Sequence, residues 1–317
     1  MRIRAGVSRL RTRPSRHLAG ALQNARKASF EPTMVSSITA VNLACDPAAI
    51  MGGLYGDGII ALKGAFSREW AQHMREDIDR LFADARARPH GALPRGPERY
   101  YVEVHRERLR GFVDIATHPW FVAVCEAVLG PHYQVVEVGF DVPGPGAQTQ
   151  PWHRDFPMPD ATRVGRRLNS LAFNLTAVDT VPDMGPLQIA PGTQWDDFGG
   201  LDQPNRELAM FPPMELYPRY EARAQYRLPQ MGDISARSAL TIHRGTANRS
   251  SQSRPVLVIG VDAPDGGNAA RHDLQTTRRY HTALPASVRD HLNCRVVDRL
   301  VEIEQVHSIK GLLEGQG

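Results

Sequence analysis

With 317 residues, 42% of them hydrophobic, the chain has ample material for one large core, and no apolar run is long enough to span a membrane. Cys45, Cys125 and Cys294 are odd in number and far apart, which argues against a disulfide framework or zinc spacing and for a reducing compartment such as the cytoplasm. The net charge of +4 comes from the first thirty residues, which hold eight Arg or Lys and no acid; the rest sums to −4, so no nucleic-acid partner is implied.

Residues 1–33 are Arg-rich, Ser-containing and acid-free. That composition fits an organelle transit peptide or a disordered leader ahead of a start at Met34. Residues 34–317 read as a single domain. Residues 57–64 (DGIIALKG) read as a buried strand. Ser67 then suits a helix N-cap with Glu69 in the first turn, and Trp70, Met74, Ile78, Leu81 and Phe82 recur at helical spacing. Residues 87–110 are polar and broken by Pro89 and Pro94, so they read as a surface loop. Residues 119–129 form a short helix opened by Pro119 and closed by Gly130.

Strands dominate from there. Residues 133–142 (YQVVEVGFDV) are β-branched and aromatic, and strands follow at 168–178, 185–191, 238–243 and 255–261. A long irregular insert separates 195 from 227. Beyond Pro285, the residues Leu292, Val296, Leu300, Ile303 and His307 fit a closing amphipathic helix over about 285–312, packed outside the core.

The stretch QPWHRD carries the chemistry. On an extended segment, residues two apart share a face, so His153 and Asp155 point to one place and Arg154 points away. A third ligand, His243 from a distant strand, would complete two imidazoles and one carboxylate, a set that leaves open positions and suits non-haem Fe(II). A lone H-x-D is weak: with 12 His in the chain it arises roughly once by chance. His105-Arg106-Glu107 is a rival pair, read as a solvated charged face among Arg106, Arg108 and Arg110.

In chain order, the strand at 57–64, QPWHRD, GPLQIAPGT at 185–193, Gly232-Asp233, and His243 with Asn248 and Arg254 at fixed spacing resemble the phytanoyl-CoA hydroxylase-like (PhyH) family of Fe(II)/2-oxoglutarate-dependent dioxygenases. The resemblance covers residues 50–265. It implies a mainly β fold with flanking helices, a double-stranded β-helix or jelly roll of the cupin kind, with its core at about 130–265. It implies that His153, Asp155 and His243 bind iron, that Arg254 binds the distal carboxylate of 2-oxoglutarate, and that O2 is the oxidant. A guanidinium suits that carboxylate because it offers planar two-point recognition. Many relatives place Ser or Thr two residues after the distal His as a second anchor. Here Gly245 stands there, so either Thr246 or another residue substitutes, or the grip on the cosubstrate is looser. Relatives that halogenate have a small residue at the position of Asp155; its retention favours hydroxylation or another oxidation.

Asn174 is expected to face either the pocket or solvent, and Asn248 either the cosubstrate or its own turn. Trp152 reads as core or barrel rim, or else as a substrate contact, and Phe211 and Tyr217 are candidate substrate contacts in an aromatic and Met-rich segment (201–230) that reads as a lid or as an outer loop. The expected partner is a small molecule acting on a monomer or homodimer, with no membrane. Two other classes stay open: a cupin-like metal enzyme without 2-oxoglutarate, and a jelly-roll binding protein without catalysis.

Overall fold

The computed structural model describes residues 44–198 and 210–305. The Arg-rich leader, Met34, His307 and the first part of the expected lid, 201–209, lie outside the described residues.

Twelve strands are described: β1 Ile59–Leu62, β2 Leu93–Pro94, β3 Arg99–Glu103, β4 Gln134–Pro143, β5 Ser170–Thr176, β6 Leu187–Ile189, β7 Gln225–Arg227, β8 Ile234–Ser238, β9 His243–Gly245, β10 Val256–Asp262, β11 Gln275–Thr277 and β12 Arg295–Val297. The major sheet is antiparallel with order β1-β8-β5-β10-β4-β3-β2, and a minor antiparallel sheet runs β7-β6-β9. These two sheets form the double-stranded β-helix, with a cavity of about 870 Å³ lined by residues of both.

Alternation along the central strands decides what faces what. Leu171, Phe173 and Leu175 of β5, Leu257, Ile259 and Val261 of β10, and Val138 and Phe140 of β4 join the main hydrophobic core. That core is covered by helices, among them Arg68–Arg86 and Pro119–Leu129. The intervening residues Ala172, Asn174, Val258, Gly260 and Glu137 line the cavity instead. The sheet is therefore apolar on its outer, helix-covered face and mixed on its inner one.

The flanking helices follow their sequence signals. The Ser67 hydroxyl accepts a hydrogen bond from the Trp70 N–H, and Met74, Ile78 and Leu81 are buried with Trp70 and Phe82 packed beside them. Burying each of those aliphatic side chains contributes about 1.5–3 kcal/mol. Pro119 opens the next helix and Gly130, at φ 85°, closes it.

Four expectations are corrected. Residues 87–110 are no surface loop: they contain β2 and β3, and Arg99, Tyr101, Val102 and Glu103 are buried against β4. The Pro-and-Arg composition masked a five-residue strand. The insert after Trp195 is not wholly irregular, because it holds the helix Tyr217–Glu221 and supplies β7 to the minor sheet. The expected strand at 238–243 is split: β8 ends at Ser238, the chain turns, and β9 begins at His243. The closing helix is absent among the described residues. Only Ala286–Arg289 is helical, Val296 lies in β12, which pairs in parallel with β11, and residues 301–305 run irregularly past β3. There the Gln305 side chain exchanges two hydrogen bonds with the Glu103 backbone, beyond the part of β3 that β2 pairs, so backbone groups of β3 capture a segment whose spacing alone suggested a helix.

Candidate active site

Backbone pairing builds the centre. His153 and His243 exchange N–H···O=C bonds in both directions, at 3.0 and 2.9 Å, and the Asp155 N–H donates to the carbonyl of Ala239. The extended backbone at 153–155 puts His153 and Asp155 on one side and Arg154 on the other. The Arg154 guanidinium stacks over Phe198 and donates to the Asp196 carbonyl. Ligand atoms of His153, Asp155 and His243 lie within 4.8 Å of one another.

Each imidazole is held from behind. Nδ1 of His153 lies 2.8 Å from the Pro151 carbonyl, and Nδ1 of His243 lies 2.9 Å from that of Thr241. A carbonyl only accepts, so Nδ1 carries the proton on both rings and each Nε2 presents a lone pair. Burial lowers the pKa of His153 to about 4 and that of His243 well below its usual value, so both are neutral near pH 7. For Asp155, burial alone would raise the pKa. Arg237 and the two histidines outweigh it and hold the carboxyl well below the usual range. Arg237 grips the carboxylate with two hydrogen bonds, of 2.7 and 3.1 Å. Each carboxylate oxygen has a further lone pair for a metal. Two neutral imidazoles and one ionised carboxylate, converging on one point and oriented from outside it, fit a divalent iron.

Arg254 stands at the start of β10, is buried, and lines the same cavity. Its Nε donates to the carbonyls of Met184 and Gly185, at 3.2 and 3.0 Å, so recognition of a ligand falls to its two terminal nitrogens. Burial, together with the nearby Arg99, lowers its pKa to about 10, which still leaves it charged at neutral pH. Gly185 sits at φ 68°, and a Cβ there would lie 2.5 Å from the Thr246 carbonyl oxygen. The GPLQIAPGT stretch thus packs directly on the turn after His243.

The other named residues divide. Asn174 faces the cavity, and its Oδ1 is buried with no partner among the described residues. Thr246 does not line the cavity, and its hydroxyl donates to the Pro186 carbonyl at 2.7 Å, so the structure does not bring it to Arg254 as a cosubstrate anchor. Asn248 serves its turn, bonding Pro143, Ser250 and Gln252. Trp152 is fully buried in the separate cluster with Ala190, Phe198, Tyr220 and Ile242, and Tyr217 packs against that cluster. Neither reaches the cavity, because Trp152 has the opposite parity to His153. Phe211 does stand near the centre, its ring 6.0 Å from that of His153, and Tyr226 to Pro229 line the cavity beyond it.

Two residues escaped sequence reading. Arg237 is a charged residue alternating with Ala236 and Ser238 in β8, and that signal was available. Arg99 is buried, pairs with Asp141 at 2.9 Å, and donates to the Thr246 carbonyl. It was hidden inside the segment read as a loop.

The rival pair is no solvated face. His105 is buried, with Nε2 donating to the Val301 carbonyl and Nδ1 accepting from the Gln275 N–H. Glu107 accepts from the Thr277 N–H and from the hydroxyls of Thr276 and Thr277.

A family model described as phytanoyl-CoA dioxygenase (PhyH) matches residues 54–256. No curated protein matches the chain. Among solved structures, it is similar to the apo form of EctD from S. alaskensis, with 17% identity, a TM-score of 0.55, and coverage of 69% of this chain and 78% of that one. It is also similar to the epimerase SnoN in complex with Fe3+, alpha ketoglutarate and nogalamycin RO. There the identity is 19% and the TM-score 0.53, over 72% of this chain and 91% of that one. At such identities these two likenesses speak for the fold.

Proposed function

The chain belongs to the phytanoyl-CoA dioxygenase (PhyH) family and is an Fe(II)/2-oxoglutarate-dependent oxygenase, and from that premise we propose that it hydroxylates a small organic molecule, with a place in the biosynthesis of secondary metabolites. In this reading His153, Asp155 and His243 hold the iron and Arg254 holds the distal carboxylate of 2-oxoglutarate. The observation that carries it is the convergence of the two Nε2 lone pairs with the Asp155 carboxylate, in the same cavity as the buried Arg254. When bound, iron and cosubstrate supply the oxidising power, with O2 consumed and succinate and CO2 released.

The chain's own residues bind, orient and shield. Pro151 and Thr241 fix both tautomers, and Arg237 keeps Asp155 ionised and immobile. Retention of a carboxylate at Asp155 leaves no gap for a halide and supports hydroxylation. Ala172, Asn174 and Val258 line the cavity on the inner face of the sheet, and its volume of about 870 Å³ suits a small organic substrate beside the cosubstrate. Phe211 and the stretch 226–229 border it and support a lid role for that segment.

Anaerobic titration of the Fe(II)-loaded protein with 2-oxoglutarate, following the metal-to-ligand charge-transfer band, tests the assignment. Arg254→Leu should weaken binding by at least about tenfold, since a charge-assisted bond contributes roughly 1.5–3 kcal/mol. Iron should stay bound in that variant. Unchanged affinity there would remove Arg254 from the cosubstrate site, and a wild-type protein that binds iron but develops no band would favour a metal enzyme without 2-oxoglutarate.

A further inference from the structure

Gly245 lies two residues after His243, on the same side of β9, and occupies the place where relatives carry a hydroxyl. The space beside it is filled. A Cβ built on Gly245 would sit 2.4 Å from both Nη1 and Nη2 of Arg99 and 2.6 Å from its Cζ. The guanidinium of Arg99 therefore stands where a serine or threonine side chain at 245 would stand. It comes from β3, far from Gly245 in the sequence, so no local motif announces it.

Charge accounting points the same way. Arg99 and Arg254 both line the cavity, both are buried, and Arg99 is close enough to push the Arg254 pKa down. Asp141 pairs with Arg99, and its other oxygen, Oδ1, has no partner among the described residues. Glu103 pairs with His272, and Glu137, four residues before Asp141 on β4, accepts from the Tyr101 hydroxyl. Asp141 is the carboxylate that acts on the two buried guanidiniums. Buried like charges repel strongly in a low-dielectric site, so this end of the cavity favours one more anion. The Arg99 Nε is likewise buried and unpartnered among the described residues.

We propose that Arg99 replaces the missing hydroxyl at position 245 as the second anchor of the distal carboxylate of 2-oxoglutarate, which is then gripped between two guanidiniums. This rests on the reading of Arg254 given above. It makes the site more dependent on charge than a guanidinium–hydroxyl pair, because both contacts are ionic.

The test is binding rather than turnover: anaerobic titration of the Fe(II)-loaded protein with 2-oxoglutarate by calorimetry and by the charge-transfer band. Wild type should bind and Arg254→Leu should bind at least about tenfold more weakly, which tests the underlying reading independently of Arg99. Arg99→Gln should weaken 2-oxoglutarate by about tenfold with iron affinity unchanged. Gly245→Ser alone should also weaken it, because the new side chain collides with Arg99. The double change Arg99→Ala with Gly245→Ser should recover at least about threefold over Arg99→Ala alone, since a hydroxyl then fills the vacated anchor. Should Arg99→Gln fold poorly, Arg99→Lys decides: it keeps the charge opposite Asp141, and a loss of about threefold or more is expected because an ammonium lacks the fork. Affinities within twofold of wild type in the Arg99 variants, with Arg254→Leu still deficient, would overturn the role of Arg99 and leave that of Arg254 standing.

Discussion

The chain contains two stretches of the form His-Arg-acid, and only one of them brings its donors together with a third ligand group. In both, the histidine and the middle arginine are buried. What separates them is which polar atoms the protein leaves unspent. At 153–155, one nitrogen of each imidazole is tied to a carbonyl and the other converges with a carboxylate on an open cavity. At 105–107, both ring nitrogens are consumed by backbone groups of two chain segments, and the glutamate is consumed by three threonine donors. The first stretch holds its donors ready for a ligand, whereas the second uses them to fasten residues 275–277 and 301 to the end of β3. A metal motif is thus defined by its unsatisfied atoms more than by its spacing.

The largest expected effect lies at the third ligand. His243→Ala removes one of three donors and leaves the 105–107 stretch intact. Iron affinity should fall by at least about a hundredfold and turnover should vanish, since even indirect partners of ligands are worth about 10–100-fold. Iron content after gel filtration measures this. Full occupancy in that variant, or iron seated at His105 and Glu107, would reverse the comparison.

A smaller effect is expected at Arg237, which sharpens the contrast by loosening one donor without removing it. In Arg237→Gln the carboxylate of Asp155 loses its main positive neighbour, so burial dominates and its pKa rises. Asp155 binds metal only when ionised. In the wild type Asp155 stays ionised below the point, at about 4, where His153 protonates, so the histidines set the acid limb; without Arg237 the Asp155 pKa rises and the histidines lose a neighbour that lowers theirs, so the loss begins at a higher pH. The acid limb of iron binding should therefore move upward in pH, with affinity near neutrality down by about tenfold. An acid limb that stays where it was would show that Arg237 does not govern Asp155.

Legibility in the sequence tracks how local each cause is. His153 and Asp155 were readable because period-two alternation is set within three residues. The Ser67 cap and the Gly130 stop were readable for the same reason. Arg99, by contrast, reaches Gly245 across strands far apart in sequence, and composition made β3 look like a loop. Leu292, Val296, Leu300 and Ile303 do carry helical spacing. Val296 nevertheless went into a strand because β11 offered it a hydrogen-bonded edge, a tertiary cause that spacing does not report. Trp152 left two readings open, core or substrate contact, and parity decides between them: adjacent to a ligand in sequence, it faces the opposite side of the chain and joins a core cluster.

At the second stretch the expected effects are on stability. His105→Ala strands a carbonyl at Val301 and an N–H at Gln275, and each buried orphan costs about 1–3 kcal/mol. A Tm lower by about 5–10 °C is expected by calorimetry, with iron stoichiometry unchanged. An unaltered Tm would mean that the closing segment is held elsewhere.

The smallest effect expected is for Glu107→Gln, and it is the cleanest probe of what the second carboxylate does. The Glu107 Oε2 accepts from the Thr277 N–H at 2.8 Å and from the hydroxyls of Thr277 and Thr276 at 3.1 and 3.3 Å. A glutamine amide oxygen can take up the same position and accept from the same donors. What is lost is the charge assistance, since hydrogen bonds to a charged group contribute about 1.5–3 kcal/mol and neutral ones about 0.5–1.5. The difference predicts a destabilisation of about 1 kcal/mol and a Tm lower by a few degrees. Iron binding and 2-oxoglutarate affinity should not move, because Glu107 faces threonines and no converging imidazole. Had this glutamate been a ligand, loss of its charge would act on metal content first and on stability second. The order in which the two readouts respond to one isosteric change therefore separates a clamp from a metal site.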